Sequence, residues 1–215
     1  MDLPIIKNLK QKRRKEIARG QDLVIQEIYN ESQEVVLHGG TAIWRCYGGN
    51  RFSWDLDFYF PLDFRSNLKD LKERLKRVGI EVRKLKTTKK SVYATLYYNN
   101  RTIKFGGLFK RIGQSVTKQY RLVDGNNLVV NTLSPTELLK EKVEAYLNRR
   151  KVRDLYDVYY LSNFIEEKKK IKLLLSKLIK NYKKPKSKKQ LESLIITGVA
   201  PNVKEILKEI KRWVK

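Results

Sequence analysis

The chain has 215 residues, enough to bury a core as one domain of ordinary size or as two small ones sharing an interface. Hydrophobic residues make up 41% and Gly and Pro are sparse, which excludes a disordered or fibrous class. The 48 Lys and Arg outnumber 23 Asp and Glu to leave a net charge of +25, a field that points to a polyanionic partner, nucleic acid or nucleotide.

A thermophile's solvated Lys-rich surface is the competing reading of that charge; it explains the density better than the sign. The opening segment Met1-Asp2-Leu3-Pro4-Ile5-Ile6-Lys7 has no basic stretch followed by an apolar run, and nowhere do 18 apolar residues stand together. A soluble, cytoplasmic protein is therefore expected. From about Leu9 to Asn30, Ile17, Leu23, Val24, Ile28 and Tyr29 recur at helical spacing behind the basic start Lys10, Lys12, Arg13, Arg14 and Lys15, with Gly20 weakening the middle.

The apolar run Glu34 to His38 reads as a strand, Gly39-Gly40 as a turn, and Thr41 to Tyr47 as two helical turns. Cys46 is the only cysteine, so an intramolecular disulfide and a zinc site of several thiolates are excluded, and a reducing compartment is expected. Gly48, Gly49 and Asn50 stop the helix. Phe52 to Phe60 then reads as a strand with Leu56, Phe58 and Phe60 on one side and Asp55, Asp57 and Tyr59 on the other.

Leu68, Leu71, Leu75 and Val78 predict a helix over Asn67 to Val78, stopped by Gly79. Five segments rich in β-branched and aromatic residues follow, Glu81 to Leu85, Ser91 to Tyr98, Thr102 to Lys110, Tyr120 to Val123 and Leu128 to Thr132, and are expected to extend the sheet as an antiparallel meander. Ser134-Pro135-Thr136-Glu137 combines a cap, a first-turn proline and a glutamate three positions on, which marks a helix start. Helices are expected over Pro135 to Asn148, Val152 to Glu166, Ile171 to Asn181, Lys188 to Ile196 and Asn202 to Trp213. The fold class is thus α+β: a core of residues 1–133 with a mixed or antiparallel sheet flanked by helices, then a helical domain of residues 134–215.

Two carboxylates on one strand face, Asp55 and Asp57, can share hard Mg²⁺ (or Mn²⁺) ions through oxygen ligands, with water and phosphate oxygens completing the shell. Nucleotidyl transfer asks chiefly that metal, triphosphate and nucleophile be held in line. An Asp-X-Asp alone is weak, being frequent in strands and surface turns. Gly39-Gly40-Thr41 at the strand-to-helix turn adds backbone N–H groups and a helix N-terminus suited to a phosphate, although paired glycines also serve backbone geometry alone. The single histidine, His38, reads as a core residue rather than a general base. Trp44, Tyr47, Trp54 and Tyr59 could stack a base, but aromatic residues around a small core usually pack first; Tyr59 is the one placed on the aspartate face.

The order Gly39-Gly40-Thr41-Ala42-Ile43, then Arg51-Phe52-Ser53-Trp54-Asp55-Leu56-Asp57-Phe58, resembles the first motif of the AbiEii/AbiGii toxin family. Thr132 through Lys142, followed by Arg149-Arg150-Lys151-Val152-Arg153-Asp154-Leu155-Tyr156-Asp157, resembles that family's later helical motif. The resemblance spans about Val35 to Leu161 in the family's order. It implies a DNA polymerase β-like nucleotidyltransferase core, use of an NTP with Mg²⁺, transfer of a nucleotide to an acceptor that in some relatives is the 3′ end of tRNA, and a neutralising antitoxin protein. By the same pattern, Ser53, Asp55 and Asp57 belong to the first motif, Lys142 to the triphosphate and Asp154 to the closing helix, with Arg153 and Asp157 as further nucleotide-binding candidates beside Gly39, Gly40 and Thr41.

Each assignment has a plainer competitor. Ser53 could satisfy a local backbone group, Lys142 could belong to a solvated face, and Asp154 could pair with Arg149 or Arg150. The strand Thr102-Ile103-Lys104-Phe105-Gly106-Gly107 also departs from the family, since Gly106 stands where relatives tend to carry a third acid. A binding module without catalysis and a phosphotransferase acting on protein or small molecules are accordingly the alternative functions.

Overall fold

The computed structural model describes residues 4–186 and 191–214. It divides into two compact units, Met1–Gly48 with Phe52–Thr132, and Gly49–Arg51 with Leu133–Lys215. The first contains α1 (Ile5–Asn8), α2 (Lys12–Glu31), β1 (Val36–His38), α3 (Gly39–Cys46), β2 (Asp55–Phe60), a 3₁₀ segment Leu62–Asn67, α4 (Leu68–Arg77), β3 (Glu81–Thr87), β4 (Ser91–Tyr98), β5 (Arg101–Phe109), β6 (Val116–Arg121) and β7 (Asn127–Thr132). The second contains α5 (Pro135–Arg149), α6 (Val152–Ser162), α7 (Lys168–Lys180) and α8 (Val203–Arg212). The class is α+β, as expected.

The seven strands form one mixed sheet in the order β3-β4-β5-β2-β1-β7-β6. The expected single meander is corrected: β3, β4 and β5 are antiparallel to one another, but β5 joins β2 in parallel, and β7 joins β1 in parallel on the other side with β6 outside it. The reason is that the central antiparallel pair β1–β2 offers two free hydrogen-bonding edges, and the later strands divide between them.

Alternation along β2 puts Leu56, Phe58 and Phe60 fully inside. Phe58 meets Phe105 edge-on at 6.1 Å, and Phe60 stacks on Phe64 at 4.6 Å. Leu68, Leu71 and Leu75 of α4 close over Ala94, Leu96 and Phe105 on the same face. Fully burying each such side chain contributes about 1.5–3 kcal/mol. The basic N-terminal helix begins at Lys12 and runs unbroken through Gly20. A Cβ at Gly20 would overlap the Ile103 side chain, so the glycine lets α2 lie close on β5 rather than interrupting the helix. Arg14, one of the basic residues at the start of that helix, is buried with its guanidinium 5.4 Å from the Phe52 ring.

In the second unit the Ser134 hydroxyl accepts from the Glu137 N–H at 3.3 Å, with Pro135 in the first turn, so the cap read from the sequence starts α5. Asn202 and Glu205 form a reciprocal capping box at α8. Helix α6 ends at Ser162 rather than near Glu166. The helix expected over Lys188 to Ile196 lies partly outside the described residues. Leu191 to Leu194 form turns, because Ile195 is instead used in a β-bridge to Arg51 and the Ile196 N–H donates to the Asn50 carbonyl. Among the described residues no helix is long and apolar enough to cross a membrane.

Candidate active site

The candidate residues fall into two groups, one in each unit. In the first, β1 runs into α3 through Gly39, whose φ of +74° is left-handed. A Cβ there would overlap Asp57 Oδ2, so the glycine is required twice, by backbone conformation and by the approach of the carboxylate. Arg45 holds α3 in place: its guanidinium is fully buried, donates to Asp22 Oδ1 at 3.0 Å and the Arg121 carbonyl at 2.9 Å, and lies 4.0 Å from the Trp44 ring.

Thr41, in the first turn of α3, is fully buried and its hydroxyl donates to the Asp55 carbonyl at 2.7 Å. The side chain expected near a nucleotide thus fixes the start of β2. Gln21 adds a second brace, with Nε2 donating to the carbonyls of Ser53 and Trp54, each at 3.1 Å. Ser53 itself is buried. Asp55 is exposed and Asp57 half-buried, and alternation puts both on the sheet face opposite Leu56 and Phe58. Tyr59, two residues on, is engaged by its neighbours: its ring stacks on His38 at 3.9 Å, and Lys110 Nζ lies 3.7 Å from its centroid.

The register of β2 and β5 pairs Asp55 with Lys104 and Asp57 with Gly106. The glycine therefore occupies the position on the neighbouring strand beside Asp57, and a Cβ there would have its nearest contact at 3.9 Å, with the Tyr93 ring. Among the described residues there is no group of three or more His, Cys, Asp and Glu able to hold a metal ion.

The second group surrounds α6. Asp157 is fully buried and accepts from Arg51 Nε and Nη2, both at 2.5 Å, while Lys142 Nζ lies 3.2 Å from Oδ2. Burial pushes the Asp157 carboxyl up, but the charges of Arg51 and Lys142 outweigh it and hold the group below its ordinary value. Burial likewise disfavours the Arg51 cation, and Asp157 more than compensates. Two cations thus converge on Asp157, and Asp154 adds a second negative charge felt by Arg51. Since Lys142 is buried at only 6% exposure, it is not part of a solvated face. Of the three ammonium protons of Lys142, this geometry commits one to Asp157.

Asp154, one helical turn before Asp157, is fully buried and is gripped by Arg149 through Nε and Nη2, each at 2.7 Å. Arg153 is half-buried. Arg51 escaped the sequence reading, for it sits 106 residues from its partner and no local pattern links the two. The available signal was that two adjacent helical acids in an apolar stretch, Asp154 and Asp157, each need a cation.

A family model described as nucleotidyl transferase AbiEii toxin, type IV TA system, matches residues 26–211. In structure the chain is similar to JHP933 from Helicobacter pylori, with 18% identity, 95% of this chain and 91% of that one covered, and a TM-score of 0.63. It is also similar to the nucleotidyltransferase toxin MenT4 from Mycobacterium tuberculosis, with 17% identity, coverage of 98% and 87%, and a TM-score of 0.66. At these identities the likeness concerns the fold. No curated protein sequence matches the chain.

Proposed function

Because the chain belongs to the AbiEii family of nucleotidyl transferase toxins, we propose that it transfers a nucleotide from an NTP to an RNA acceptor, the 3′ end of tRNA being the first candidate, with Mg²⁺ or Mn²⁺ held by Asp55 and Asp57. The observation that carries this reading is the pair of carboxylates on one face of β2, reached across a glycine turn shaped around Asp57. Two carboxylates without a third fit Mg²⁺, which is commonly held by one or two acids together with substrate phosphates and water. When bound, the ion supplies charge neutralisation at the triphosphate and lowers the pKa of a coordinated hydroxyl.

The protein's own contributions are positional. Thr41 and Gln21 fix the backbone that presents Asp55, and the amide groups at the start of α3 suit a phosphate. We assign Lys142 to the triphosphate; it is held in place by Asp157, whose other partner is Arg51. Asp154 orders the turn into α6 through Arg149. Arg153 is a further nucleotide contact. A cognate antitoxin follows from the family, and the site of action is the cytoplasm.

Incubating the protein with α-labelled NTPs, Mg²⁺ and total RNA should leave label on RNA, and the Asp55→Ala protein should leave at least a hundredfold less. Equal labelling by the variant refutes the assignment. Label transferred from the γ position only would mean phosphotransfer instead. NTP binding without any transfer would favour the non-catalytic reading raised by Gly106.

A further inference from the structure

The sheet face that carries Asp55 and Asp57 continues across β5, β4 and β3. Register places Lys86, Tyr93, Gly106 and Asp57 in one transverse row, and Lys84, Thr95, Lys104 and Asp55 in the next. Helices α2 and α4 cover the other face, where Ala94, Leu96 and Phe105 lie. On this face Tyr93 is 39% exposed and Leu108 46% exposed, and Lys84, Lys86 and Lys104 are all exposed. Strands β4 and β5 contain no acidic residue, and Glu81 on β3 is paired with Arg83 at 3.4 Å. The patch is therefore basic, with a tyrosine ring lying beside a glycine that puts no side chain next to it.

From this we infer that the β3–β5 face is the bed of the acceptor strand: an unpaired base of single-stranded RNA stacks on Tyr93 and Leu108, and Lys84, Lys86 and Lys104 meet its phosphates. Charge complementarity and an accessible π-face select this occupant. A duplex keeps its base faces stacked internally and would leave Tyr93 unused. A protein partner would find only Tyr93 and Leu108 as exposed apolar groups among three lysines, too little for a continuous apolar patch. Tyr93 stands two strands from Asp57, about 10 Å at the usual strand spacing, which keeps it beside the reacting end without occupying it. The inference rests on the transferase reading for the polarity of the strand, but the binding is measurable without turnover.

The test is fluorescence anisotropy of the full chain with a labelled 12-nucleotide single-stranded RNA without self-complementarity, alongside calorimetric titration with NTPs. Tyr93→Leu, which keeps bulk on the strand and removes the ring, should weaken RNA binding about tenfold, and Tyr93→Trp should restore it. Lys84→Ala with Lys86→Ala should lower the slope of log K against log salt by about 1.4, two single-strand phosphate contacts at about 0.7 each, whereas Lys69→Ala with Lys72→Ala on α4 should leave RNA affinity and slope unchanged. NTP affinity should be unaffected by Tyr93→Leu. Unchanged RNA affinity in Tyr93→Leu, equal loss from the α4 control, or loss of NTP binding in place of RNA binding would each overturn the inference. If RNA binding depends on Tyr93 while α-labelled transfer is absent, the binding bed stands and the transferase reading fails.

Discussion

Replacing the members of the buried cluster around Asp157 one at a time should give a sharply unequal series. Asp157 is fully enclosed, and both Arg51 and Lys142 direct charge at it, so Asp157→Asn leaves two buried cations facing a neutral amide. Removing one partner of a buried pair typically costs about 3–5 kcal/mol, equivalent to a drop of about 6–20 °C in Tm for a chain of this length. Arg51→Met leaves Asp157 with Lys142 as its counter-charge, and a cost of about 3–6 kcal/mol follows from two lost charge-assisted hydrogen bonds at about 1.5–3 kcal/mol each. Lys142→Met removes one of the two cations held against Asp157 and leaves the doubly hydrogen-bonded Arg51–Asp157 pair in place. Its cost should stay below about 1 kcal/mol, since a methionine of similar length fills the volume. The assay is urea unfolding followed by near-ultraviolet circular dichroism, with NTP transfer measured on the same preparations. The proposed role adds that Lys142→Met, the mildest change for stability, should lose transfer at least a hundredfold. A cost for Lys142→Met equal to that of Asp157→Asn would refute the charge argument.

The same cluster sets a dependence on acid. The folded Asp157 carboxyl lies below its ordinary value of 3.8, so its ionised form contributes stability above that pH and the contribution is lost as pH falls through the folded value. The stability gap between wild type and Asp157→Asn should therefore be constant from pH 7 to 5 and shrink below pH 4; a gap that widens in acid would contradict the sign. Gly39→Ala should lower both stability and transfer, whereas Gly79→Ala, at a similar φ of +80° but with open space around it, should cost only the backbone strain of about 1–2 kcal/mol and leave transfer intact. Equal effects of the two would remove the argument from Asp57. Thr41→Val, which withdraws the donor to the Asp55 carbonyl, should cost about 1–2 kcal/mol by chemical denaturation and reduce kcat more than KM for NTP. Gly106→Asp has room for its side chain beside Asp57, and the added carboxylate should lower the Mg²⁺ concentration needed for half-maximal transfer while reducing stability in EDTA through like-charge repulsion. An unchanged Mg²⁺ requirement would mean that position 106 does not reach the ion.

Local rules made much of the fold legible. Alternation along Asp55–Phe60 assigned the two aspartates to the face opposite Leu56 and Phe58, because side chains alternate whatever the strand's neighbours are. Ser134-Pro135 and the helical spacing from Leu68 to Leu75 likewise fixed elements whose causes lie within one or two turns of chain. Strand order was a different matter. The segments from Glu81 to Thr132 carry the same β signals whether they form one meander or divide between the two edges of β1–β2, and packing of the whole sheet made that choice.

The first site group was half visible. Gly39-Gly40 and Asp-X-Asp stood out as residue types, but the overlap of a Cβ at Gly39 with Asp57, and the diversion of the Thr41 hydroxyl to the Asp55 carbonyl, exist only once β1, α3 and β2 are brought together. In the second group the family resemblance singled out Lys142, Asp154 and Asp157, while Arg51 was silent. Its partner is 106 residues away, and a charged side chain reveals whether it is solvated or buried only through what folds around it. The sequence by itself determined the residues available for chemistry and the faces on which short-range periodicity puts them. The tertiary structure decided which charges are buried together, since that depends on desolvation and distance between segments that no local pattern connects.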